Sequence, residues 1–218
     1  MQIAIALFPG FTALDAVGPY QVLVNLPGAE VVVCAARRGH LADEAGLLHL
    51  DVRHTFDDVP RPEVLVVPGG LITRKLARDG DPVVDWIRAA HPHTTWTTSV
   101  CTGALLLGAA GVLDGLRATT HWNAYDTLRS YGAEPTEERV VEQGKVLTAA
   151  GVSAGIDLAL TLVGRVAGPE VAQAVQLGIE YDPQPPFDAG APSKAPAEIT
   201  ALVRDLLTGA EERLLGAP

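Results

Sequence analysis

The chain is poor in cysteine and in basic residues. Only two of its 218 residues are cysteines, Cys34 and Cys101, too few for a disulfide scaffold, and no Cys/His spacing typical of a four-ligand zinc site occurs. Lysine and arginine total 16 against 26 aspartates and glutamates, so the formal net charge is −10. Because nonspecific binding to nucleic acid or to anionic membranes depends on clustered lysine and arginine, we expect neither partner, and we expect no bound metal.

Long apolar runs are absent as well. The first run, residues 3–8, ends at Pro9-Gly10 and is far shorter than the roughly 20 residues that span a bilayer. No basic leader typical of a signal peptide precedes it. Since 48% of the residues are hydrophobic, the chain can still bury a full core. We therefore expect one ordered domain over residues 1–218, located in the cytoplasm, where thiols stay reduced.

Short apolar runs alternate with segments of helical spacing. Runs that do not alternate in polarity are typical of strands buried on both faces, and they occupy residues 3–8, 31–36, 64–67, 94–98 and 146–149. Helical spacing is found over residues 16–25, 82–90, 102–110, 123–131, 154–166 and 169–177. This order predicts an α/β fold whose mostly parallel sheet carries helices on both faces. Residues 140–146 resemble a hairpin, which adds one antiparallel pair.

The C-terminal part has a different composition. Residues 182–196 contain five prolines and predict an irregular arm, followed by an amphipathic helix over residues 197–215. The arm is either a surface loop or a clasp around a second copy of the chain. The second interpretation is based on apolar surface that water would disfavour, at Tyr181, Pro185, Pro186 and Phe187.

Cys101 stands where a predicted strand runs directly into a predicted helix, in the sequence Ser-Val-Cys-Thr-Gly. Strand, sharp turn, nucleophile and helix form a nucleophile elbow, and Gly103 would let the helix pass close to the sheet. A helix N-terminus lowers a thiol pKa, so we expect Cys101 to be a nucleophilic thiolate at neutral pH. The alternative is a small core side chain, which is the interpretation we adopt for Cys34.

Two further loops should lie at the same edge of the sheet, where the carboxyl ends of parallel strands meet. Asp15 follows the first strand, and its apolar neighbours predict burial, which raises a carboxyl pKa. A protonated Asp15 could then act as general acid beside Cys101, although an ordinary N-cap is the alternative. Gly69 and Gly70 follow the strand at residues 64–67, and the amides of Gly70 and Thr102 could form an anion hole; a plain turn is the alternative.

His121 follows a short strand in the sequence Ala-Thr-Thr-His-Trp and could line a pocket at this edge. A Cys–His pair would indicate acyl transfer, but the residues do not place His121 beside Cys101. A histidine at a helix start, packed beside Trp122, is an equally good interpretation.

Together, Asp15, Pro-Gly-Gly at 68–70 and Ser-Val-Cys-Thr-Gly at 99–103 resemble motifs of the DJ-1/PfpI (ThiJ) superfamily over residues 1–180. The resemblance implies a flavodoxin-like three-layer sandwich with Cys101 in a strained elbow. Peptidase-like and glyoxalase-like members usually have a histidine after the cysteine and a glutamate partner, where this chain has Thr102 and Asp15. With residues 118–122 and 179–187, the pattern is similar to the isonitrile hydratase branch.

That branch hydrates an isonitrile, R–NC, to the formamide R–NH–CHO as a homodimer without a cofactor. The resemblance therefore implies a small apolar isonitrile and water as partners, attack by Cys101 to give a thioimidate, proton transfer and water activation by Asp15, and tuning of both groups by Thr102. An apolar substrate pocket is expected from Gly69, Leu71, His121, Trp122 and Ile156.

Other functions stay open at this point. The chain could be another cysteine-dependent enzyme of the glyoxalase-like kind, or a thiol whose oxidation is its function. It could also be a ligand-sensing domain, because sensor domains of AraC-type regulators share the Cys-Thr-Gly and Thr-Thr-His-Trp motifs. Such regulators carry a helix-turn-helix pair after the sensor, whereas only one helix and no basic recognition segment follow the arm here.

Overall fold

The computed structural model describes residues 1–216. Its strands are β1 Gln2–Ala6, β2 Glu30–Ala35, β3 Gly39–Ala42, β4 His49–Val52, β5 His54–Thr55, β6 Val64–Val67, β7 Trp96–Val100, β8 Arg117–Ala118, β9 Glu134–Pro135, β10 Val140–Gln143 and β11 Val146–Ala149. Its α-helices are α1 Ala13–Leu23, α2 Thr73–Asp79, α3 Pro82–Ala90, α4 Gly103–Ala109, α5 Tyr125–Ser130, α6 Ala154–Ala167, α7 Pro169–Gly178 and α8 Ala197–Gly216.

A seven-stranded sheet forms the centre of the molecule, in the order β10-β11-β7-β6-β1-β2-β5. Every neighbouring pair is parallel except β10 and β11, so the predicted antiparallel hairpin is confirmed. One group of helices, α1, α6 and α7, packs together, and α2, α3, α4 and α5 form a second group. Because α4 and α6 belong to different groups and both contact β7, helices cover the sheet on both sides, and the flavodoxin-like α/β prediction is confirmed.

Helix α4 lies deepest in the molecule. Its residues from Gly103 to Gly108 are all buried, as its unbroken apolar sequence predicts. A Cβ atom at Gly103 would collide with the carbonyl oxygen of Val67 at the end of β6. Glycine therefore allows α4 to start directly against the sheet, which brings the residues before it to the ends of β6 and β7.

Several boundaries differ from the predictions. Helix α1 begins at Ala13 rather than at residue 16. Thr12, the residue before it, donates its amide to the carbonyl of Gly69 at 2.8 Å. Sequence reasoning missed α2 and the β3–β4 hairpin, because both are short and lack a clear apolar period. Residues 182–196 form an exposed irregular segment, and α8 follows as predicted. Within residues 1–216, no helix combines the length and apolar character needed to cross a membrane.

Candidate active site

Cys101 occupies the turn between β7 and α4 with a backbone φ of 56°. A positive φ is strained for a residue with a side chain and persists only where its surroundings hold it. Here the Cys101 amide donates to the carbonyl of Ala150 at 2.8 Å, and the Cys101 carbonyl accepts the hydroxyl of Thr120 at 2.9 Å. The predicted elbow conformation is therefore present, and bonds from two neighbouring segments support it.

Asp15 lies in the first turn of α1 and is fully buried. Its Oδ2 accepts the amide of Gly69 at 2.8 Å, and it caps no helix, so the N-cap interpretation is wrong. The Oδ1 atom has no hydrogen-bond partner. The Asp15 carboxyl and the Cys101 thiol are close enough to perturb each other's protonation. The acid and the sulfur are therefore neighbours, with one carboxyl oxygen left unbonded.

Burial dominates the protonation of this pair. It raises the pKa of Asp15 to about 7, against the opposing effects of the Gly69 amide and the Cys101 thiol. Burial, and next the Asp15 charge, raise the pKa of Cys101 well above its usual value, although the amide of Thr102 acts in the opposite direction. The prediction of a resting thiolate is therefore wrong: desolvation outweighs the N-terminus of the short helix α4.

Proton transfer within the pair can still produce the nucleophile. Above about pH 7 the resting pair holds one proton, on the thiol, and Asp15 is a carboxylate. Moving that proton from sulfur to Asp15 gives a thiolate beside a carboxylic acid without exchange with water. The two forms are tautomers of one protonation state, so their titration belongs to the pair.

Gly69 and Gly70 bring the β6 loop against these residues. The Gly70 amide donates to Thr102 Oγ1 at 3.0 Å, and that hydroxyl donates back to the Gly70 carbonyl at 3.0 Å. In the resting structure the Gly70 amide is thus already bonded, and the anion hole of the Gly70 and Thr102 amides for a reaction adduct stays a prediction. A Cβ at Gly69 would lie 2.7 Å from Thr102 Oγ1 and 2.8 Å from Asp15 Oδ2, so only glycine fits there.

The sulfur side of the pair faces a pocket of about 140 Å³. Its wall consists of Thr12, Glu44, Gly70, Leu71, Arg74, Cys101, Thr102, His121, Val152, Leu207 and Glu211. The structure thus brings the predicted residues Leu71 and His121 to the pocket. Trp122 lies outside this wall with its ring 5.4 Å from that of His121, and Gly69 binds Asp15. Ile156 lies against Gly18 of α1, so its predicted place in the pocket is wrong.

His121 shares the pocket with Cys101 but does not pair with it. Its Nδ1 accepts the amide of Asn123 at 3.3 Å, and burial, aided by the charge of Arg74, lowers its pKa. The groups that perturb the Cys101 thiol are Asp15 and Thr102. Asp15 rather than His121 is therefore the titratable neighbour that perturbs the thiol.

Several residues in and around the pocket were not predicted from the sequence. Thr120, which holds the elbow carbonyl, lay inside the Thr-Thr-His-Trp segment, but its hydroxyl could not be assigned a partner. Arg74 and Glu211 form a partly buried ion pair although 137 positions separate them, and no local pattern could connect them. Within residues 1–216, no cluster of three or more His, Cys, Asp or Glu side chains could hold a metal ion.

The chain is similar in sequence and in fold to known proteins. Isonitrile hydratase from Pseudomonas putida is 44% identical over 199 residues, which cover 91% of this chain and 86% of that protein. A crystal structure of a ThiJ/PfpI family protein from Pseudomonas syringae has a TM-score of 0.92 and 37% identity, and covers 98% of this chain and 88% of that one. The HTH-type transcriptional regulator CdhR from Pseudomonas aeruginosa is 37% identical over 95 residues, covering 43% of this chain and 28% of the regulator.

The family itself follows from a match over about three quarters of the chain. The DJ-1/PfpI family matches residues 1–165, which include β1, the glycine loop, the Cys101 elbow and β11. The chain therefore belongs to the DJ-1/PfpI family.

Proposed function

We propose that the protein is an isonitrile hydratase that converts R–NC and water into R–NH–CHO. The observation that carries this proposal is the buried Cys101–Asp15 pair, whose sulfur faces a small and mostly apolar pocket. The similarity to isonitrile hydratase from Pseudomonas putida over 91% of the chain supports the same activity.

The first step forms a bond between sulfur and the terminal isonitrile carbon. Asp15 takes the thiol proton, and the Cys101 thiolate attacks the carbon. The electron pair left on that carbon then takes the proton back from Asp15, which gives the thioimidate R–N=CH–S–Cys101. Asp15 thus acts as base and then as acid, and a pKa near 7 suits both roles.

The second step returns the enzyme to its starting state. Asp15, again a carboxylate, takes a proton from water while the hydroxide adds to the thioimidate carbon. The nitrogen takes that proton and becomes N–H. The carbon–sulfur bond then breaks, the hydroxyl proton leaves through Asp15, and Cys101 is released beside R–NH–CHO. No cofactor or metal is needed for this balance.

Charge development favours this reaction over acyl transfer. Acyl transfer puts negative charge on a carbonyl oxygen, which requires free donors such as an unbonded amide. Here the Gly70 amide is already bonded to Thr102. Attack on an isonitrile puts the charge on carbon, where a proton from Asp15 neutralises it, so an acid matters more than an anion hole.

We also propose that the protein is a cytoplasmic homodimer. Both cysteines are free, which suits a reducing compartment. Helix α1 exposes Leu14, Val17 and Tyr20, Val24 directly after it is also exposed, and Phe187 of the arm is 79% exposed. A second copy would remove this apolar surface from water. Sedimentation at micromolar protein should give twice the mass of one 22.8 kDa chain, and a monomer would contradict the dimer.

An assay with cyclohexyl isonitrile tests the proposed activity. In heavy-oxygen water the purified protein should release the formamide with one heavy oxygen. Rapid acid quenching should leave the peptide with Cys101 heavier by one isonitrile. No formamide, together with turnover of methylglyoxal in a parallel assay, would indicate the glyoxalase-like function instead.

A further inference from the structure

Helix α8 presents one face to the candidate active site. Arg204, Leu207 and Glu211 lie three and four positions apart, so their side chains share one side of the helix. Leu207 and Glu211 form part of the pocket wall. Leu206 is on a different side and is 63% exposed.

A partly buried ion pair fixes this face of α8 over the pocket. Arg74 and Glu211 are each only 13% exposed and bond directly to each other. Arg74 also donates to the carbonyl of Asn123 at 2.9 Å and to Thr127 Oγ1 at 3.4 Å, which fixes the guanidinium on the body of the molecule. Since separating α8 from Arg74 would leave two partly shielded charges without their counterions, this contact favours the closed position of the helix.

A second contact holds the helix one turn earlier. The guanidinium carbon of Arg204 lies 5.5 Å from the ring centroid of Trp122, within the range of a cation–π interaction. Trp122 in turn lies against His121, which lines the pocket. The two contacts lie on either side of Leu207 along α8 and hold its side chain at the wall.

We propose that Leu207 is a specificity-determining residue that limits the size of the carbon group on the substrate, and that the Arg74–Glu211 pair holds it there. The proposal rests on the proposed isonitrile hydratase function. The match to the DJ-1/PfpI family ends at residue 165, so Leu207 and Glu211 lie outside the part of the chain that the family match covers.

The size of the pocket indicates what the wall admits. A cavity of about 150 Å³ holds one benzene molecule, and the pocket here measures about 140 Å³. A substrate group up to about one phenyl ring therefore fits inside, whereas a fused two-ring group would have to press against the wall or extend out of the open side of the pocket. The charge of Arg74 is balanced by Glu211, and Glu44 adds a carboxyl to the wall, so an anionic group is disfavoured.

The test compares Leu207→Ala with Leu206→Ala, which makes the same change on the exposed side of α8. Leucine and alanine are both good helix formers, so α8 should persist in each. Leu207→Ala should raise kcat/KM for naphthyl isonitrile relative to methyl isonitrile by about tenfold. This is the lower end of the change in kcat/KM that one methylene group produces in an apolar pocket. Leu207→Phe should shift the same ratio in the opposite direction. Leu206→Ala should leave it unchanged.

Alkylation of Cys101 gives a readout that does not need the proposed activity. Iodoacetamide and N-naphthyl iodoacetamide carry the same reactive group on small and large bodies, and peptide mass spectrometry separates Cys101 from Cys34. Leu207→Ala should increase the large-to-small rate ratio, and Glu211→Gln should do so as well, whereas Glu212→Gln, on the exposed side, should not.

The outcomes separate the two proposals. If the wild type hydrates no isonitrile but the alkylation ratio shifts as described, the wall is supported and the proposed function fails. If isonitriles are hydrated and Leu207→Ala, Leu207→Phe and Leu206→Ala all keep the wild-type ratios in both assays, the wall is overturned.

Discussion

The two cysteines lie in contrasting regions. Cys34 lies inside β2, where its backbone pairs with Ala6 and His54 of neighbouring strands and its thiol points to the carbonyl of Ile5 at 3.8 Å. Cys101 lies at the end of β7 with a left-handed backbone. Burial raises the pKa of both thiols, that of Cys34 to about 12. The prediction that Cys34 is a core side chain is confirmed by its complete burial.

This comparison teaches that a low thiol pKa is not what separates the two sites. Cys101 differs from Cys34 in having a carboxyl close enough to change the pKa of its thiol and a pocket in front of the sulfur. Because Asp15 can take the thiol proton, Cys101 does not need to be a thiolate at rest, and the thiolate can form during the reaction with a substrate. The predictions below test that difference.

The largest expected effect comes from removing each sulfur in turn. Cys101→Ala should abolish formamide production, because no nucleophile remains. Cys34→Ala should keep the wild-type rate and lose about 1 kcal/mol of unfolding free energy, as a small cavity forms in the sheet. Isonitrile turnover and urea unfolding measure the two effects. Turnover retained by Cys101→Ala would remove Cys101 from the mechanism.

Replacing the acid should have the next largest effect. Asp15→Asn can still accept the Gly69 amide but cannot move a proton, so the turnover rate should fall by about 10²–10⁴-fold while the fold persists. The matched control is Asp85→Asn on α3, where the side chain is 73% exposed, and its rate should not change. A wild-type turnover rate in Asp15→Asn would show that Asp15 does not accept the proton of the Cys101 thiol.

Activity and stability should change in opposite directions with pH. The folded pKa of Asp15, about 7, lies above its unfolded value of 3.8, so folded protein binds the extra proton in this window. The unfolding free energy should therefore fall as pH rises from about 4 to 7, by at most about 1.4 kcal/mol per unit. In contrast, kcat/KM should rise through about pH 7, as the carboxylate that accepts the thiol proton forms.

Asp15→Asn isolates this carboxyl from histidines that titrate nearby. His91 and His121 have lowered pKa values and affect stability with the opposite sign. The unfolding free energies of wild type and Asp15→Asn should be measured in urea at pH 5 and at pH 8. Between these two values the wild type should lose stability relative to the variant. An identical difference at both values would show that Asp15 titrates normally.

The smallest effect should come from the support of the elbow. Thr120→Val removes the hydroxyl that binds the Cys101 carbonyl, and Thr98→Val removes an equivalent buried bond to Leu65 at 3.0 Å. Each should cost about 1 kcal/mol of unfolding free energy. Only Thr120→Val should also lower kcat, and Thr120→Ser should restore it. Equal kcat values in both valine variants would limit Thr120 to a structural role.

Sequence patterns predicted the strands well because buried parallel strands are continuous apolar runs. The strands at residues 64–67 and 146–149 have the predicted bounds. The elbow was also predictable from local sequence, because the strand, Cys101 and the helix follow each other within about ten residues. Short elements such as α2 lack enough turns to show a period, and they were missed.

The amino-acid sequence by itself determined the α/β architecture, the elbow at Cys101 and the choice of Asp15 as its partner, because each depends on local pattern and on the rule that parallel strands end at one edge. Only the tertiary structure decided the protonation of that pair, the bonding of Gly70 to Thr102 and the wall formed by α8. These features depend on burial and on contacts between residues far apart in the chain, such as Arg74 with Glu211. Neither burial nor such contacts can be recognised from a short stretch of sequence.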